Sequence, residues 1–369
     1  LSESTDDFAP IQYVEISDVS LVGGIETATP MLFHEAPSRA RRKVRSGDIL
    51  VSTVRTYLKA IASVDEAPDD LVVSTGFCVI RPTAALNSSY AGWVVRSEEF
   101  VGEVVSRSVG VSYPAINASE LMNIEVPLPP LDTQRRIAAF LDENVARIDA
   151  LIARKQALLE RLAEKRQAII THAITKGLNS AAPMKDSGID WLGQIPAHWD
   201  VLPLGRIVRL KSGDALTSSE IEEEGDYPVY GGNGLRGYTS TFNTQGEMVI
   251  VGRQGEHCGN VHRIDGQSFV TEHSLRCFPE KAFNTSWLAM LLETMNLRQH
   301  SVSAAQPGLS ADRLKMLASI YCPTDEQDEI AGELGQRLGL QASISKPIEA
   351  SLVSLSEYRS ALISAAVTD

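Results

Sequence analysis

From residue 132 to residue 178 the apolar residues recur at alternating steps of four and three. Positions 137, 141, 144, 148, 151, 155, 158, 162, 165, 169 and 172 read Ile, Leu, Asn, Ile, Leu, Lys, Leu, Leu, Lys, Ile and His. Between 325 and 369 the same rhythm returns as Ile330, Leu334, Arg337, Gln341, Ile344, Ile348, Ser351, Leu355, Tyr358, Leu362 and Ala365. A 3.5-residue repeat marks long helices that pair in a supercoil, and polar interruptions can fix their register. The predicted seam is Ile137, Leu141, Ile148, Leu151, Leu158, Leu162 and Ile169 against Ile330, Leu334, Ile344, Ile348, Leu355 and Leu362. Asp132 or Thr133, after Pro129-Pro130, is the expected N-cap of the first helix, and Gly177 its expected C-cap. At 1.5 Å per residue each helix would reach roughly 65 Å, too long for the inside of one small domain. The segments before each helix, 1–131 and 201–324, show short apolar runs such as 48–54 and 71–73 between glycines and prolines, which read as strands.

The two helices are copies of one another. Pro114 and Pro307 stand 193 residues apart, as do Pro130 and Pro323, Gln134 and Gln327, Ala138 and Ala331, Arg166 and Arg359, and Ala173 and Ala366. In the β-rich segments the offset drifts. Val73–Pro82 matches Val270–Pro279 at 197, Gly47-Asp48 matches Gly246-Glu247, and Arg55 is paired with Arg253. The expected organisation is a first β-rich domain over 1–131, a long helix over 132–178, a connector and second β-rich domain over 179–324, and a second long helix over 325–369. The fold class is α+β, with two β-rich domains joined by two antiparallel helices in an internal pseudo-two-fold repeat. A coiled coil between two chains is the plainer alternative, but the repeat supplies both strands itself. The first copy has no counterpart of Met184–Leu210, and the chain opens on Leu1. The first domain is therefore expected to be truncated at its start.

Composition narrows the function less than the repeat does. The net charge of −13 argues against nucleic acid when taken alone. It is unevenly spread, however: 132–178 carries nine Lys/Arg and six Asp/Glu, whereas 325–369 carries three and eight. Opposite charge helps the helices pair, and a local basic patch can still meet DNA. Cys78, Cys258, Cys277 and Cys322 are widely spaced, which fits free thiols in a reducing cytoplasm. His257, Cys258 and His262 match no zinc spacing, and no metal site is expected. No apolar run reaches membrane-spanning length, and no secretory signal is visible.

Catalytic signatures are missing from the chain. Gly232-Asn233-Gly234-Leu235-Arg236-Gly237 matches GxGxxG, but strand-like residues follow it where a dinucleotide site needs a helix. A glycine-rich loop or hairpin is expected there. There is no phosphate-binding GxxxxGK[ST] loop, no HExxH, no GxSxG, and no Asn/Asp-Pro-Pro-aromatic tetrapeptide of the kind an amino-methyltransferase needs. Candidates for DNA contact are Arg39, Arg41, Arg42, Lys43 and Arg45 in one basic run, Arg55 and Arg253, and Arg236, Tyr238, Gln254 and His257 in or beside glycine-rich loops. Arg and Gln can read base edges by paired hydrogen bonds. A solvated face is the ordinary role of such a run, and a salt bridge that of the two arginines.

A series of segments resembles a known family. Pro127-Leu128-Pro129-Pro130-Leu131-Asp132-Thr133-Gln134-Arg135-Arg136-Ile137 leads into the first helix, which closes on Ile169-Ile170-Thr171-His172-Ala173-Ile174-Thr175-Lys176-Gly177-Leu178. Then follow Met184-Lys185-Asp186-Ser187-Gly188-Ile189-Asp190-Trp191-Leu192-Gly193-Gln194-Ile195-Pro196 and His198-Trp199. The whole resembles the specificity subunit of type I restriction-modification systems. That resemblance implies two target recognition domains reading a bipartite, asymmetric site in double-stranded DNA, with the helices setting the spacing. It implies two methyltransferase subunits bringing S-adenosylmethionine, and restriction subunits using ATP and magnesium. This chain itself would bind no cofactor, cross no membrane and work in the cytoplasm. The second helix departs from the pattern, with Tyr321-Cys322-Pro323-Thr324 as its lead-in. A coiled-coil scaffold that binds proteins and no DNA is the competing class.

Overall fold

The computed structural model describes residues 6–301 and 308–368; Pro307, half of one repeat match, lies outside them. The chain divides into two compact units. Unit 1 joins the chain up to Ala157 with the chain from Ile348 onward, and unit 2 is Leu158–Pro347. Each long helix therefore contributes to both units.

Unit 1 begins with β1 (Pro10–Val14), β2 (Val19–Ser20), β3 (Gly24–Ile25), β4 (Thr29–Leu32), β5 (Ala40–Lys43), β6 (Ile49–Ser52), β7 (Ile61–Ser63), β8 (Leu71–Ser74) and β9 (Phe77–Ile80). Helices α1 (Ser88–Val94), α2 (Glu98–Ser106) and α3 (Ala118–Met122) follow, and then α4 (Leu131–Lys176). Its two main sheets run β4-β1-β8-β5 and β7-β6-β9, with β1 and β8 parallel, and β2 and β3 form a small antiparallel pair. Unit 2 continues with β10 (Met184–Asp186), β11 (Gln194–Pro196), β12 (Asp200–Pro203), β13 (Val208–Ser212), β14 (Tyr227–Gly231), β15 (Gly234–Thr239), β16 (Met248–Gly252), β17 (Val261–Ile264), β18 (Phe269–Val270) and β19 (Ser274–Pro279). It ends with α5 (Thr285–Thr294), α6 (Ala311–Leu314), β20 (Ala318–Tyr321) and α7 (Thr324–Thr368). Its main sheets run β15-β14-β18 and β13-β19-β16-β17, again with one parallel pair, β14 and β18. The two units thus repeat one pair of sheets, with β5 added in unit 1 and β13 in unit 2.

Ladder register corrects the sequence matching. Ile49 faces Ile80 and Val51 faces Cys78 in unit 1, while Val249 faces Cys277 and Val251 faces Leu275 in unit 2. Since β9 and β19 correspond at an offset of 197, β6 and β16 correspond at 200. The equivalent of Arg253 is therefore Thr53, and that of Arg55 is Gly255. The two arginines are not a matched pair. Identity of residue type suggested a match that backbone pairing rejects by two positions, which also exchanges the loop geometry around them.

Within each unit the long helices run antiparallel. In unit 1, Ala138, Leu141 and Val145 share a buried cluster with Ile363 and Val367, together with Tyr90, Trp93 and Val94 of α1. Arg359, itself buried, gives Asp149 two bonds at 2.7 and 3.3 Å. In unit 2, Ile170, Ala173 and Ile174 pack with Ile330 and Leu334, while Gln341 donates to the Leu162 carbonyl. The buried positions keep a four-three rhythm over Gln134, Ala138, Leu141, Val145 and Ile148. Of the expected seam, Leu141, Ile148, Ile330 and Leu334 are buried, and Ile137, Leu162, Ile169, Ile348, Leu355 and Leu362 are half-buried. Leu151, Leu158 and Ile344 are exposed. Along the seam, burial is concentrated where α1, α5 and their neighbours add a further wall.

The start of α4 differs from expectation, while its end meets it. Helix α4 starts at Leu131, and the Pro130 carbonyl receives the Thr133 and Gln134 N–H groups, so Asp132 lies inside the first turn. Gly177 ends α4 with φ +72° and returns its N–H to Ala173, the left-handed stop that glycine adopts at least cost. Helix α7 runs through Pro347. Proline has no N–H for the Ser343 carbonyl, and both residues are exposed, so water can serve it.

One glutamine fastens each β-rich domain to its helix. Gln134 Oε1 accepts the Asn87 N–H at 2.8 Å, and its Nε2 donates to the Ala85 and Pro129 carbonyls. Gln327, 193 residues later, accepts the Asn284 N–H at 2.8 Å and donates to the Cys322 carbonyl. Asn87 and Asn284 are the side-chain N-caps of α1 and α5. Gln134→Ala should destabilise the full chain by about 1–3 kcal/mol, because it removes a buried side chain's three hydrogen bonds and strands the half-buried Asn87 N–H. Hydrogen exchange at the Asn87 amide should accelerate; unchanged protection would refute this fastening role.

Candidate nucleic-acid interface

In each unit, three segments meet at one end of the β6-type strand and form a rim. In unit 1 the Thr53 N–H donates to the Gly76 carbonyl at 2.8 Å, and the Ile116 N–H donates to the Thr53 carbonyl at 2.9 Å. In unit 2 the Arg253 N–H donates to the His273 carbonyl at 2.7 Å, and the Leu309 N–H to the Arg253 carbonyl at 2.8 Å. The bridges Val54↔Ala115 and Gln254↔Gly308 complete the correspondence. So the loop after the strand, the turn at 74–77 or 271–274, and the segment reaching Ala115 or Gly308 are built alike. Their side chains are not alike.

In unit 1 the rim presents Arg55, Tyr57, Leu58, Lys59 and Tyr113, all exposed. Arg55 (φ 50°) and Lys59 (φ 52°) are both left-handed. Such backbone costs a non-glycine residue roughly 1 kcal/mol or more and is retained where the surroundings impose it. The Arg55 guanidinium lies over the Tyr113 ring, 4.7 Å from its centroid. In unit 2 the equivalent loop carries Gln254, Gly255, Glu256 and His257. Arg253 is half-buried, with Nη1 donating to Ser212 Oγ at 2.9 Å. Gln254 Oε1 meets His273 Nδ1 at 2.9 Å.

The glycine-rich motif is a β-hairpin. Gly231 pairs with Gly234 across the two-residue turn Gly232-Asn233, and Gly234 has φ +89°. A Cβ on Gly252 would stand 2.4 Å from the His257 carbonyl oxygen and 2.7 Å from that of Gly232. Only glycine lets the hairpin come so close to the 253–257 loop. Arg236 follows the turn and is exposed. Tyr238 sits at the far end of β15, half-buried, paired through its backbone with Glu222 and Pro228, and does not belong to the rim.

The basic run of unit 1 is likewise not one patch. Arg39 is at the rim end, its carbonyl receiving the Thr75 N–H, and it pairs with Glu15. Arg41 lies 4.8 Å from the Phe33 centroid. Arg42 and Lys43 are exposed along β5, an edge strand, where charge discourages pairing with other chains. Arg45 is at the opposite end of β6. There its N–H donates to Asp48 Oδ2 at 2.8 Å, and Arg81 binds the same carboxylate at 2.6 and 2.7 Å. Burial works to raise Asp48, but these bonds and the charges of Arg81 and Arg45 outweigh it and hold the carboxyl below its ordinary value.

Residues that sequence reasoning passed over include Tyr57, Leu58, Lys59, Tyr113 and Arg276. Arg276 is buried and donates to the Asn243 and Ser212 carbonyls, fixing the strand ends below the unit 2 rim. A register of 200 rather than 198 would have pointed to the first three, which align with the loop of His257. Among the described residues no group of three His, Cys, Asp or Glu could hold a metal ion, and no helix is long and apolar enough to cross a membrane. Cys258 and His262 are occupied by the Arg253 and Gly232 carbonyls.

A family model described as type I restriction modification DNA specificity domain matches residues 41–161 and 196–349, well over half of the chain and the rim loops of both units. The chain belongs to that family. Among the specificity-domain relatives, the EcoprrI specificity subunit of Escherichia coli is 36% identical over 147 residues, covering 39% of this chain and 37% of its own length. The putative MjaX specificity subunit of Methanocaldococcus jannaschii is 26% identical over 195 residues, 51% of this chain and 44% of its own length. The matched stretch is thus less than half the length of either relative. A solved chain, from work on complex assembly and conformational transition of the type I R-M system, shares the fold: TM-score 0.68 at 24% identity, covering 98% of this chain and 92% of that one.

If the left-handed rim of this specificity domain serves binding, Arg55→Gly should separate stability from function. It should stabilise the chain by about 1 kcal/mol, since glycine adopts φ near +50° freely, and weaken DNA binding. Denaturant midpoints and titration with duplex DNA check both signs; a destabilised variant with unchanged affinity would contradict the assignment.

Proposed function

We propose that this chain is a non-catalytic DNA-specificity subunit that reads a bipartite, asymmetric site in double-stranded DNA, one half with each unit. The observation that carries this reading is the pair of rims, built on the same hydrogen bonds yet furnished with different side chains. A common frame with dissimilar tips suits two unlike half-sites, because phosphate contacts position a protein while tip residues discriminate bases. In unit 2, Gln254 and Arg236 are suited to adenine and guanine edges, and Glu256 to the cytosine amino group. In unit 1, Arg55 and Lys59 are suited to phosphate.

The long helices set the unread spacing and offer a scaffold for two methyltransferase subunits, which bring S-adenosylmethionine and the methylating chemistry. Restriction subunits supply ATP- and magnesium-dependent cleavage. The net charge of −13 agrees with such sharing, since partners can provide much of the positive field around the duplex. The assembly works in the cytoplasm, where its DNA lies.

Footprinting of the chain assembled with its methyltransferase subunits should show two protected half-sites flanking an unprotected gap. Affinity should fall steeply with salt, as counterion release requires. One continuous protected site, or salt-insensitive binding, would refute the reading.

A further inference from the structure

The two rims differ in one respect that base-edge recognition does not explain. Between β6 and β7 of unit 1 the chain makes a single 3-10 turn, Thr56–Leu58, bounded by left-handed Arg55 and Lys59. The turn is anchored from beneath. Thr56 is buried, its Oγ1 lies 2.7 Å from Ser108 Oγ, and Ser108 Oγ in turn donates to the Val104 carbonyl at 2.7 Å. The Leu58 and Lys59 N–H groups close back on the Arg55 and Thr56 carbonyls. Tyr57 and Leu58 are consequently held outward, 52% and 49% exposed. An aromatic and a branched aliphatic side chain kept in water on a strained, pinned turn add nothing to the core. Neither 53–60 nor 107–115 contains a carboxylate, in a chain with 47 of them. The apolar tip therefore stands between two cations with no acid in either stretch. The equivalent turn of unit 2, Glu256-His257-Cys258, presents no apolar side chain outward, since Cys258 is buried in the core.

We propose that Tyr57 and Leu58 form a wedge that enters one base step of duplex DNA and unstacks it, with Arg55 and Lys59 holding the phosphates on either side. The proposal rests on unit 1 being a DNA-reading head and adds to it a deformation made by one head alone. Apolar side chains inserted at a step kink the duplex, and the energy required depends on the step. Pyrimidine–purine steps yield most readily. Unit 1 would thus select a deformable step by shape, where unit 2 selects by hydrogen bonds.

The test uses the chain assembled with its methyltransferase subunits and duplexes carrying the mapped site, with 2-aminopurine placed in turn along both half-sites. Binding should brighten the probe at one step of a single half-site, apart from any signal at the methylated adenine. The double variant Tyr57→Ser, Leu58→Ser should abolish that signal, leave the one at the methylated adenine, and weaken binding on the order of ten- to a hundredfold. Tyr57→Phe should keep both signal and affinity, which excludes a general folding defect. The wedge is overturned if the brightened step persists in the double variant. It is equally overturned if that variant binds DNA normally but no longer assembles with the methyltransferase subunits, since the tip would then be a protein contact. Absence of protection at either half-site in the parent complex would instead remove the specificity reading on which the wedge rests.

Discussion

The side-chain amide of a buried glutamine in the first turn of each long helix governs the rest of the structure. Gln134 and Gln327 each accept the backbone N–H of the asparagine that caps the first substantial helix of their β-rich domain. A glutamine can do this because one short side chain offers both an acceptor and two donors, and because burial makes an unpaired alternative costly. The bond joins two helix starts at one point. Once it is made, the sheets on one side and the long helix on the other have a fixed relation within that unit.

From that attachment each unit divides into a layout that both units share and a rim in which they differ. Near the attachment, buried apolar contacts repeat between the units: α1 against α4 in one, α5 within the cluster of α4 and α7 in the other. Far from it, the backbone hydrogen bonds still repeat but the side chains do not. Left-handed Arg55 and Lys59 are at the rim of unit 1, where unit 2 has left-handed glycines, Gly255 and Gly259, at the matching positions. Strain placed at a rim held by a rigid scaffold is the pattern of a binding surface. The ion pairs of the frame, Arg359 with Asp149 and Arg81 with Asp48, each bury one partner and serve orientation instead.

The sequence made the helices legible because their repeat has no insertions: Gln134 and Gln327, Arg166 and Arg359, and Ile170 and Ile363 fall at one offset. It also pointed to a loop or hairpin at the GxGxxG stretch, and a hairpin is what forms there. It was less informative where burial depends on a third element. Leu151, Leu158 and Ile344 have the right spacing for a seam but no further wall to cover them, and periodicity cannot see that wall. The arginine match failed for a related reason: residue identity at 55 and 253 outweighed a two-residue slip that only ladder pairing reveals. The run from Arg39 to Arg45 looked like one patch, yet a strand carries its ends to opposite sides of the sheet.

The central claim is that the rims read and the frame measures. Exchanging the unit 1 loop 53–59 for residues 253–259 of unit 2, and then mapping methylated positions in a host genome carrying the chimera, tests it most directly. The account predicts that one half-site changes while the other half-site and the spacer length stay as they were. A shift in spacer length, or a change in both half-sites together, would contradict it.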